Sequence, residues 1–236
     1  IQRSVRWLLS MLDSESGQTP NLGANDGAYI FPLTVCPFSD FRPAAHAAAR
    51  AFLYEDLPRG PWDEMALWFG PNLAKGRHHL HEPFSQASRF HEEASQEHTL
   101  RKAFRINGKD SWAYLRTAQF TSRPSHADQL HLDLWWRGFN LAQDPGSYLY
   151  NDPPPWNNVL ARTGVHNTIT VDGLDQMMLA GRFLWLDWAQ AQLVEHAGGS
   201  GFDWERLTAR HNGYRRLGVT HQRSVTRFID GRWLVE

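Results

Sequence analysis

The chain has 236 residues, which is enough for one large domain or two small ones. Its formal net charge of −1 gives no field that attracts nucleic acid, and no apolar run reaches the roughly 18 to 20 residues that cross a bilayer, so we expect neither a nucleic-acid partner nor a membrane span. The single cysteine, Cys36, excludes an internal disulfide, whereas 11 tryptophans favour a carbohydrate ligand because the flat indole face suits a sugar ring.

The first seventy residues have the pattern of helices. Apolar residues at helical spacing predict a first helix over residues 1–12. Asp40 is expected to cap a second helix with an alanine-rich body over 44–52, and a third follows over about 62–69. The alanines favour close helix packing. Three short helices make a poor domain, so we interpret residues 1–72 as the C-terminal helices of a larger helical domain in a longer parent chain.

The next segment, residues 73–110, is polar and lacks a regular hydrophobic period. It contains five histidines, His78, His79, His81, His91 and His98. Their spacing matches no known set of metal ligands, so we interpret the segment as a linker or excursion between two domains.

Beyond Ser111 the hydrophobic period changes to two, which predicts an antiparallel β-sandwich over 111–236. The predicted strands lie near residues 112–120, 130–136, 165–171, 183–195, 219–229 and 232–236. Asp172-Gly173 and Asp230-Gly231 are typical hairpin turns. The fold class is therefore α+β, a short helical segment followed by a sandwich, and both chain ends look like those of a fragment.

Six imidazoles and carboxylates crowd into about forty residues of the predicted sandwich, namely His126, Asp128, His131, Asp133, Asp144 and His166. Such groups are costly to bury unless they are paired or ligated. We interpret His131 and Asp133 as the exposed polar face of a strand. His126, Asp144 and His166 have the donor set of a zinc-type site, although each alone also fits an ordinary turn or sheet position.

Several segments together resemble heparinase II/III-type polysaccharide lyases. They are Arg123-Pro-Ser-His-Ala-Asp-Gln-Leu-His-Leu-Asp-Leu, Asp144-Pro-Gly-Ser-Tyr-Leu-Tyr-Asn, Ala161-Arg-Thr-Gly-Val-His-Asn-Thr, Val171-Asp-Gly-Leu-Asp-Gln, Gly181-Arg-Phe-Leu-Trp and His211-Asn-Gly-Tyr. The resemblance covers most of residues 111–228. It implies an incomplete α/α toroid followed by an antiparallel β-sandwich, in agreement with the order of the predicted elements.

The resemblance also implies β-elimination on a uronic-acid-containing polysaccharide. This reaction needs a base for the C5 proton, a group that neutralises the uronate carboxylate, and an acid for the leaving oxygen. In the family the toroid supplies a tyrosine together with an asparagine or histidine, and by spacing these residues would precede Ile1. We therefore expect the chain alone to be inactive, and a periplasmic or extracellular location follows from the resemblance alone.

For individual residues, the resemblance assigns a divalent metal, zinc for preference, to His126, Asp144 and His166. Some relatives carry a catalytic histidine where this chain has Pro124, so His126 remains either a ligand or a base. Arg162 joins His126 as a predicted catalytic residue, with structural pairing to Asp144 or Asp172 as its alternative.

Four further residues are predicted to contact substrate, namely Asn25, Asp26, Trp156 and Asn167. Asn25 and Asp26 lie in a loop that resembles one in the toroid, and Trp156 follows three prolines and is either a stacking platform or a loop anchor. Tyr148 and Tyr214 are possible acids, although strand tyrosines are usually core. The alternative function is a carbohydrate-binding or structural sandwich module without catalytic activity.

Overall fold

The computed structural model of the protein describes residues 1–24, 31–70 and 102–236. These residues form two compact units. The first contains Ile1–Thr19 and residues 31–70, and the second contains residues 20–24 and 102–236. Within the described ranges, no helix has both the length and the apolar character needed to cross a membrane. The predicted substrate residues Asn25 and Asp26, and the histidine-rich part of the predicted linker, lie outside the described residues.

The first unit consists of short helices. They are α1 (Gln2–Met11), α2 (Arg42–Ala48), which continues as a π-helical turn (Ala49–Leu53), and α3 (Glu64–Trp68), which follows a 3₁₀ turn (Pro61–Asp63). Asp40 supports the start of α2, since its Oδ1 accepts the Arg42 N–H at 2.9 Å. The helices contact one another, and four of their alanines are buried, namely Ala45, Ala47, Ala49 and Ala66. The three predicted helices and their alanine packing are confirmed.

The second unit is an antiparallel sandwich with a small additional hairpin. One sheet has the strand order β1 (Lys102–Asn107), β2 (Ser111–Thr117), β3 (Leu132–Trp136), β4 (Phe139–Asn140). The hairpin pairs β5 (Met178–Gly181) with β6 (Leu184–Leu186). The second sheet has the order β10 (Trp233–Val235), β9 (His221–Phe228), β8 (Trp204–His211), β7 (Ala191–Gly198). The predicted α+β class with an antiparallel sandwich is therefore confirmed.

Alternate residues of the two sheets form the sandwich core. β2 packs against β7 and β8, and the shared core contains Ile106, Ala113, Leu115, Leu130, Leu132, Ala191, Leu207, Ala209 and Val225. Each is at most 7% exposed, so the period of two in the sequence corresponds to a buried face on each sheet.

A buried glutamine pair ties the loops to the sandwich. The Gln129 side chain donates to the carbonyl oxygens of Ala118 and Ala189, both at 2.7 Å, and accepts the Ala118 N–H at 2.9 Å. Gln176 accepts the Gln129 N–H at 2.8 Å and donates to the Gln129 carbonyl at 2.9 Å. Since both side chains are fully buried with their polar atoms bonded, the pair fixes the loop after β2 against the segment that leads to β5.

Three predictions need correction. The segment 165–171 is not a strand: it follows a 3₁₀ turn (Thr163–Val165) and forms only an isolated bridge between Val171 and Leu174. β1 lies inside the predicted linker, so the sandwich begins before residue 111. His131 and Asp133 are fully buried rather than exposed, because residues 140–167 cover that face of the first sheet through hydrogen bonds to Asp133, His131 and Leu132.

Candidate functional site

Three side chains from separate loops meet at one point of the second unit. His126 precedes β3, Asp144 follows β4, and His166 follows the 3₁₀ turn Thr163–Val165. One ligand atom from each lies within 4.8 Å of the other two, and all three residues are buried. The sequence predicted that these three residues could form one site but placed His166 on a strand over 165–171, whereas the structure places all three in loops.

His126 is held in one orientation by a short hydrogen-bond relay. Its Nε2 lies 3.2 Å from Ser147 Oγ, and that hydroxyl donates to the Gly23 carbonyl at 3.2 Å. Because the hydroxyl proton is directed at Gly23, the oxygen accepts from the Nε2–H of His126. The lone pair is then on Nδ1, which has no hydrogen-bond partner among the described residues. Burial lowers the pKa of His126 and favours the neutral ring that binds a metal.

Asp144 presents one oxygen to the same point. Its Oδ1 accepts the Gly146 N–H at 2.8 Å, whereas its Oδ2 has no hydrogen-bond partner within the described ranges and lies 3.3 Å from His166 Nδ1. Burial alone raises the pKa of Asp144, but the close contact with His166, the nearby His131 and the Gly146 amide together hold it below its ordinary value. The carboxylate is therefore ionised.

The turn after Asp144 requires glycine. Gly146 has a φ of +65°, and a Cβ at this position would overlap the Asn21 side chain. The tight turn aims the Gly146 amide at Asp144, so local backbone geometry orients the carboxylate.

His166 completes the group. The side chain is buried and neither ring nitrogen has a hydrogen-bond partner among residues that the structure describes. Its ring centroid lies 5.3 Å from that of His126, with the planes inclined at 37°. Three imidazole nitrogens of two histidines and one carboxylate oxygen lack hydrogen-bond partners here, and such buried polar atoms are costly unless something binds them. This donor set fits zinc, so the residues fit the metal that the family resemblance implies.

His131 and Asp133 form a hydrogen-bonded pair next to the three candidate ligands. His131 Nδ1 accepts the Asn167 N–H at 3.1 Å, so Nε2 carries the proton and donates to Asp133 Oδ2 at 2.9 Å. The same Nε2 lies 3.6 Å from Asp144 Oδ2. Both ring nitrogens of His131 are thus occupied by protein groups, and the residue positions its neighbours instead of offering a lone pair.

The predicted catalytic residue Arg162 pairs with an acid outside this group. Its guanidinium donates to Asp175 Oδ2 at 2.8 Å, and its side chain is 50% exposed. The alternative pairing with Asp144 or Asp172 is wrong, because Asp175 is the partner. Arg162 lines a separate open cavity of about 670 Å³, whereas His126 lines a cavity of about 230 Å³.

The other residues predicted to contact substrate differ in their surroundings. Asn167 donates its side-chain amide to the carbonyl oxygens of Leu132 and Gln143, both at 3.2 Å, so its amide nitrogen serves the loop structure. Trp156 is 55% exposed and is available as a sugar platform. Among the suggested acids, Tyr148 is 65% exposed. Tyr214 is buried, and burial raises its pKa to about 12, which makes it a poor proton donor.

Sequence reasoning did not single out three side chains that line the His126 cavity, namely Arg123, Tyr150 and Phe183. Arg123 donates to the Phe183 carbonyl at 3.0 Å, and the Tyr150 and Phe183 rings meet edge to face at 5.4 Å. All three belong to the motifs that carry the family resemblance. A period or spacing gives no signal for them, because they come together only through the packing of the β5–β6 hairpin on the loop after β4.

Comparisons with known proteins agree with this description. The family model for the heparinase II/III-like C-terminal domain matches residues 98–235. The crystal structure of heparan sulfate lyase HepC from Pedobacter heparinus is similar at 20% identity and a TM-score of 0.54, over 97% of this chain and 30% of that one. The crystal structure of a mutant of the same lyase is similar at 20% identity and a TM-score of 0.57, over 99% of this chain and 31% of that one.

A heparinase III gene product with methylated lysines has a TM-score of 0.56 at 15% identity, over 97% of this chain and 30% of its own length. Likeness at such identities shows the fold alone, and the chain spans less than a third of each of these three solved chains. No curated protein sequence matches it. The extent of the family match nevertheless confirms the resemblance seen in the sequence: the chain belongs to the heparinase II/III-like family and contains its C-terminal domain.

Proposed function

We propose that the protein is part of a polysaccharide lyase that cleaves uronic-acid-containing polysaccharide by β-elimination, with a zinc ion held by His126, Asp144 and His166. Membership of the heparinase II/III-like family supports this proposal. The observation that carries it is the set of bare ligand atoms on His126, Asp144 and His166 beside an open cavity. The similar HepC structures are described as heparan sulfate lyases, which places acidic glycans among the substrates to test.

The metal has a structural role in this proposal. A bound zinc ion supplies a fixed positive charge and joins three loops that otherwise depend on hydrogen bonds alone. His126 acts as a ligand through Nδ1, since its Nε2–H is engaged with Ser147. This assignment favours the ligand role over the base role for His126.

The residues of the His126 cavity have a second role, which is to bind the sugar. Arg123 is exposed at the edge of the cavity, and a guanidinium there suits a uronate carboxylate because it offers paired N–H donors. Phe183 and Tyr150 supply apolar ring faces beside it. We therefore assign a contact with the uronate carboxylate to Arg123 rather than to Arg162, in addition to the neutralising asparagine or histidine that the family resemblance expects from the toroid.

We expect the 236-residue chain alone to be inactive. His126 is only 2% exposed, and the chain spans less than a third of the solved lyases that it resembles. Enzymes of this kind act on exported polymers, so we also propose a periplasmic or extracellular location, to be checked by immunoblotting of fractionated cells.

A carbohydrate-binding module without catalytic activity is the second candidate. The burial of His126, Asp144 and His166 favours it, because the described residues of this group form a finished structural site with little access for a substrate proton. The two functions share the fold and the cavity but differ in whether a bond is broken.

The deciding experiment treats the full-length protein with heparan sulfate, heparin, chondroitin sulfate, alginate and polygalacturonate, and follows ultraviolet absorbance of the unsaturated uronate product. A rise with at least one polymer supports the lyase. Binding to a polymer on affinity gels with no absorbance change on any of them contradicts the lyase and leaves the binding module. Alanine at Arg123 is expected to raise KM and lower kcat of the active reaction, and alanine at the exposed Arg232 serves as its control.

A further inference from the structure

The larger of the two cavities named above is not lined by His126, Asp144 or His166. It measures about 670 Å³ and opens between the loop before Arg162 and the β5–β6 hairpin. Arg162 and Arg182 are the charged residues among the described lining, with Asn157 as a further polar group, and no carboxylate belongs to that lining. The cavity is therefore a cationic, hydrogen-bonding depression.

Both guanidinium groups are held by hydrogen bonds, but only that of Arg162 has a carboxylate partner among the described residues. Arg162 donates one Nη1–H to Asp175, and no hydrogen bond to a described residue involves its Nε or Nη2. Arg182 donates Nη1–H to the uncharged Asn151 side chain and forms no ion pair within the described part of the chain. Two cations facing one carboxylate leave a net positive charge at the cavity, which suits an anion with two or three oxygens.

The cavity is next to the one that contains His126. Asn157 lines the larger cavity and its neighbour Asn158 lines the smaller one, and the same holds for Arg182 and Phe183. Asn158 donates its side-chain amide to the Arg182 carbonyl at 2.8 Å. Adjacent residues of the same two segments therefore line both cavities, so the two cavities are neighbours.

We propose that the Arg162–Arg182 cavity is a subsite for an anionic group, a carboxylate or a sulfate, on a sugar residue next to the one bound at the His126 cavity. This proposal rests on the proposed function, since it assumes an acidic saccharide in the neighbouring cavity. Trp156, which lies between two lining residues and is 55% exposed, offers an apolar ring face at the same loop. The subsite requires the protein to bind charged oligosaccharides more tightly than neutral ones of equal length.

The test measures binding of three probes by isothermal titration calorimetry: a sulfated heparin tetrasaccharide, the same tetrasaccharide after desulfation, and maltotetraose. The central variant is Arg182→Gln. Because Arg182 is exposed and its partner is uncharged, we expect the variant to fold normally. We expect the variant to lose about tenfold in affinity for an acidic probe, as for one hydrogen bond to a charged group. Loss for both acidic probes assigns a carboxylate, and loss for the sulfated probe alone assigns a sulfate.

The matched control is Arg232→Gln, which removes an exposed arginine from the β9–β10 turn and is expected to bind as the unmodified protein does. Arg162→Gln gives a second reading of the same cavity. Unchanged affinity of both Arg182→Gln and Arg162→Gln for the acidic probes overturns the subsite, as does equal binding of maltotetraose. If polymers are cleaved in the absorbance assay while both arginine variants bind the acidic probes normally, the subsite alone fails. If either variant loses affinity for the acidic probes but no polymer is cleaved, the lyase proposal alone fails.

Discussion

His211 donates a hydrogen bond from Nε2 to Nδ1 of His221 across the β8–β9 pair, at 3.0 Å. The direction of this bond follows from the Gly213 N–H, which donates to His211 Nδ1 at 3.0 Å and leaves the ring proton on Nε2. Both side chains are buried, and no carboxylate partner appears for either of them among the described residues. The pair is therefore a neutral one. A proton added to His221 Nδ1 breaks the bond between the rings, and a proton added to His211 Nδ1 breaks the bond from Gly213.

This pair predicts acid sensitivity. Burial lowers the pKa of His211 to about 3 and that of His221 to about 4, from an ordinary value of 6.5. Below pH 6.5 the unfolded chain therefore binds protons at these two histidines that the folded chain does not bind. The contribution of the pair to the free energy of unfolding is full above that pH and is lost as the pH falls toward 4. At pH 5 we expect a loss of about 2 kcal/mol per histidine in the free energy of unfolding, measured by urea titration with chelator present.

His221→Gln keeps an acceptor for His211 and removes one titrating ring. Its stability is expected to fall less steeply between pH 7 and pH 5 than that of the unmodified protein. His196→Gln, at an exposed histidine on β7, keeps the original slope. The same slope in His221→Gln as in the unmodified protein would show that the pair does not govern acid stability.

Removal of one ligand is expected to abolish metal binding. In the unmodified protein we expect one zinc ion per chain, measured by elemental mass spectrometry after dialysis, and close to none in His166→Ala. His196→Ala provides the control because it removes an exposed histidine in the same unit. Equal zinc content in the unmodified protein and His166→Ala rules out the proposed ligand set.

The relay behind His126 predicts a weaker effect. Ser147→Ala removes the acceptor for the Nε2–H of His126 and so loosens the orientation of a ligand without deleting it. Loss of such a supporting contact typically lowers metal affinity about 10- to 100-fold, to be measured by competition with a chromophoric chelator. Ser122→Ala, at an exposed position, is the control, and an affinity for Ser147→Ala equal to that of Ser122→Ala contradicts the relay.

Gln129 is expected to be a determinant of stability. Gln129→Ala leaves the N–H and carbonyl of Ala118 and the carbonyl of Ala189 without their side-chain partner. Each orphaned buried group costs about 1–3 kcal/mol, so the expected loss is at least about 3 kcal/mol in urea unfolding at pH 7.5. Gln119→Ala, at an exposed position, is expected to change stability by less than about 0.5 kcal/mol; a loss that small in Gln129→Ala contradicts the assigned role.

The sequence predicted the sandwich because alternate strand residues such as Ala113 and Leu115 share one apolar face, which is buried in the core. It failed over 165–171, where the alternating β-branched residues have strand propensity. There the Asn167 N–H bonds to the His131 ring and the Asn167 carbonyl accepts the Leu132 N–H, so contacts with distant residues override the local preference.

The site divides in the same way. His126, Asp144 and His166 were recognisable because the motifs that contain them carry the family resemblance. Their loop positions, the burial of His131 and the pairing of Arg162 with Asp175 depend on how segments far apart in the chain fold over one sheet. A hydrophobic period of two in the sequence indicates which face of the sheet a residue lies on. It does not indicate whether a loop covers that face.

The bond from Ser147 to the Gly23 carbonyl has a practical consequence for dissecting the molecule. Gly23 lies among residues 20–24, which belong to the sandwich unit although the helices of the other unit flank them in sequence. A truncated protein that starts at residue 98, where the family match begins, lacks residues 20–24. The Ser147 hydroxyl then has no Gly23 carbonyl to donate to. Expression boundaries chosen from the family alignment would therefore cut through the support of the metal ligand they are meant to preserve.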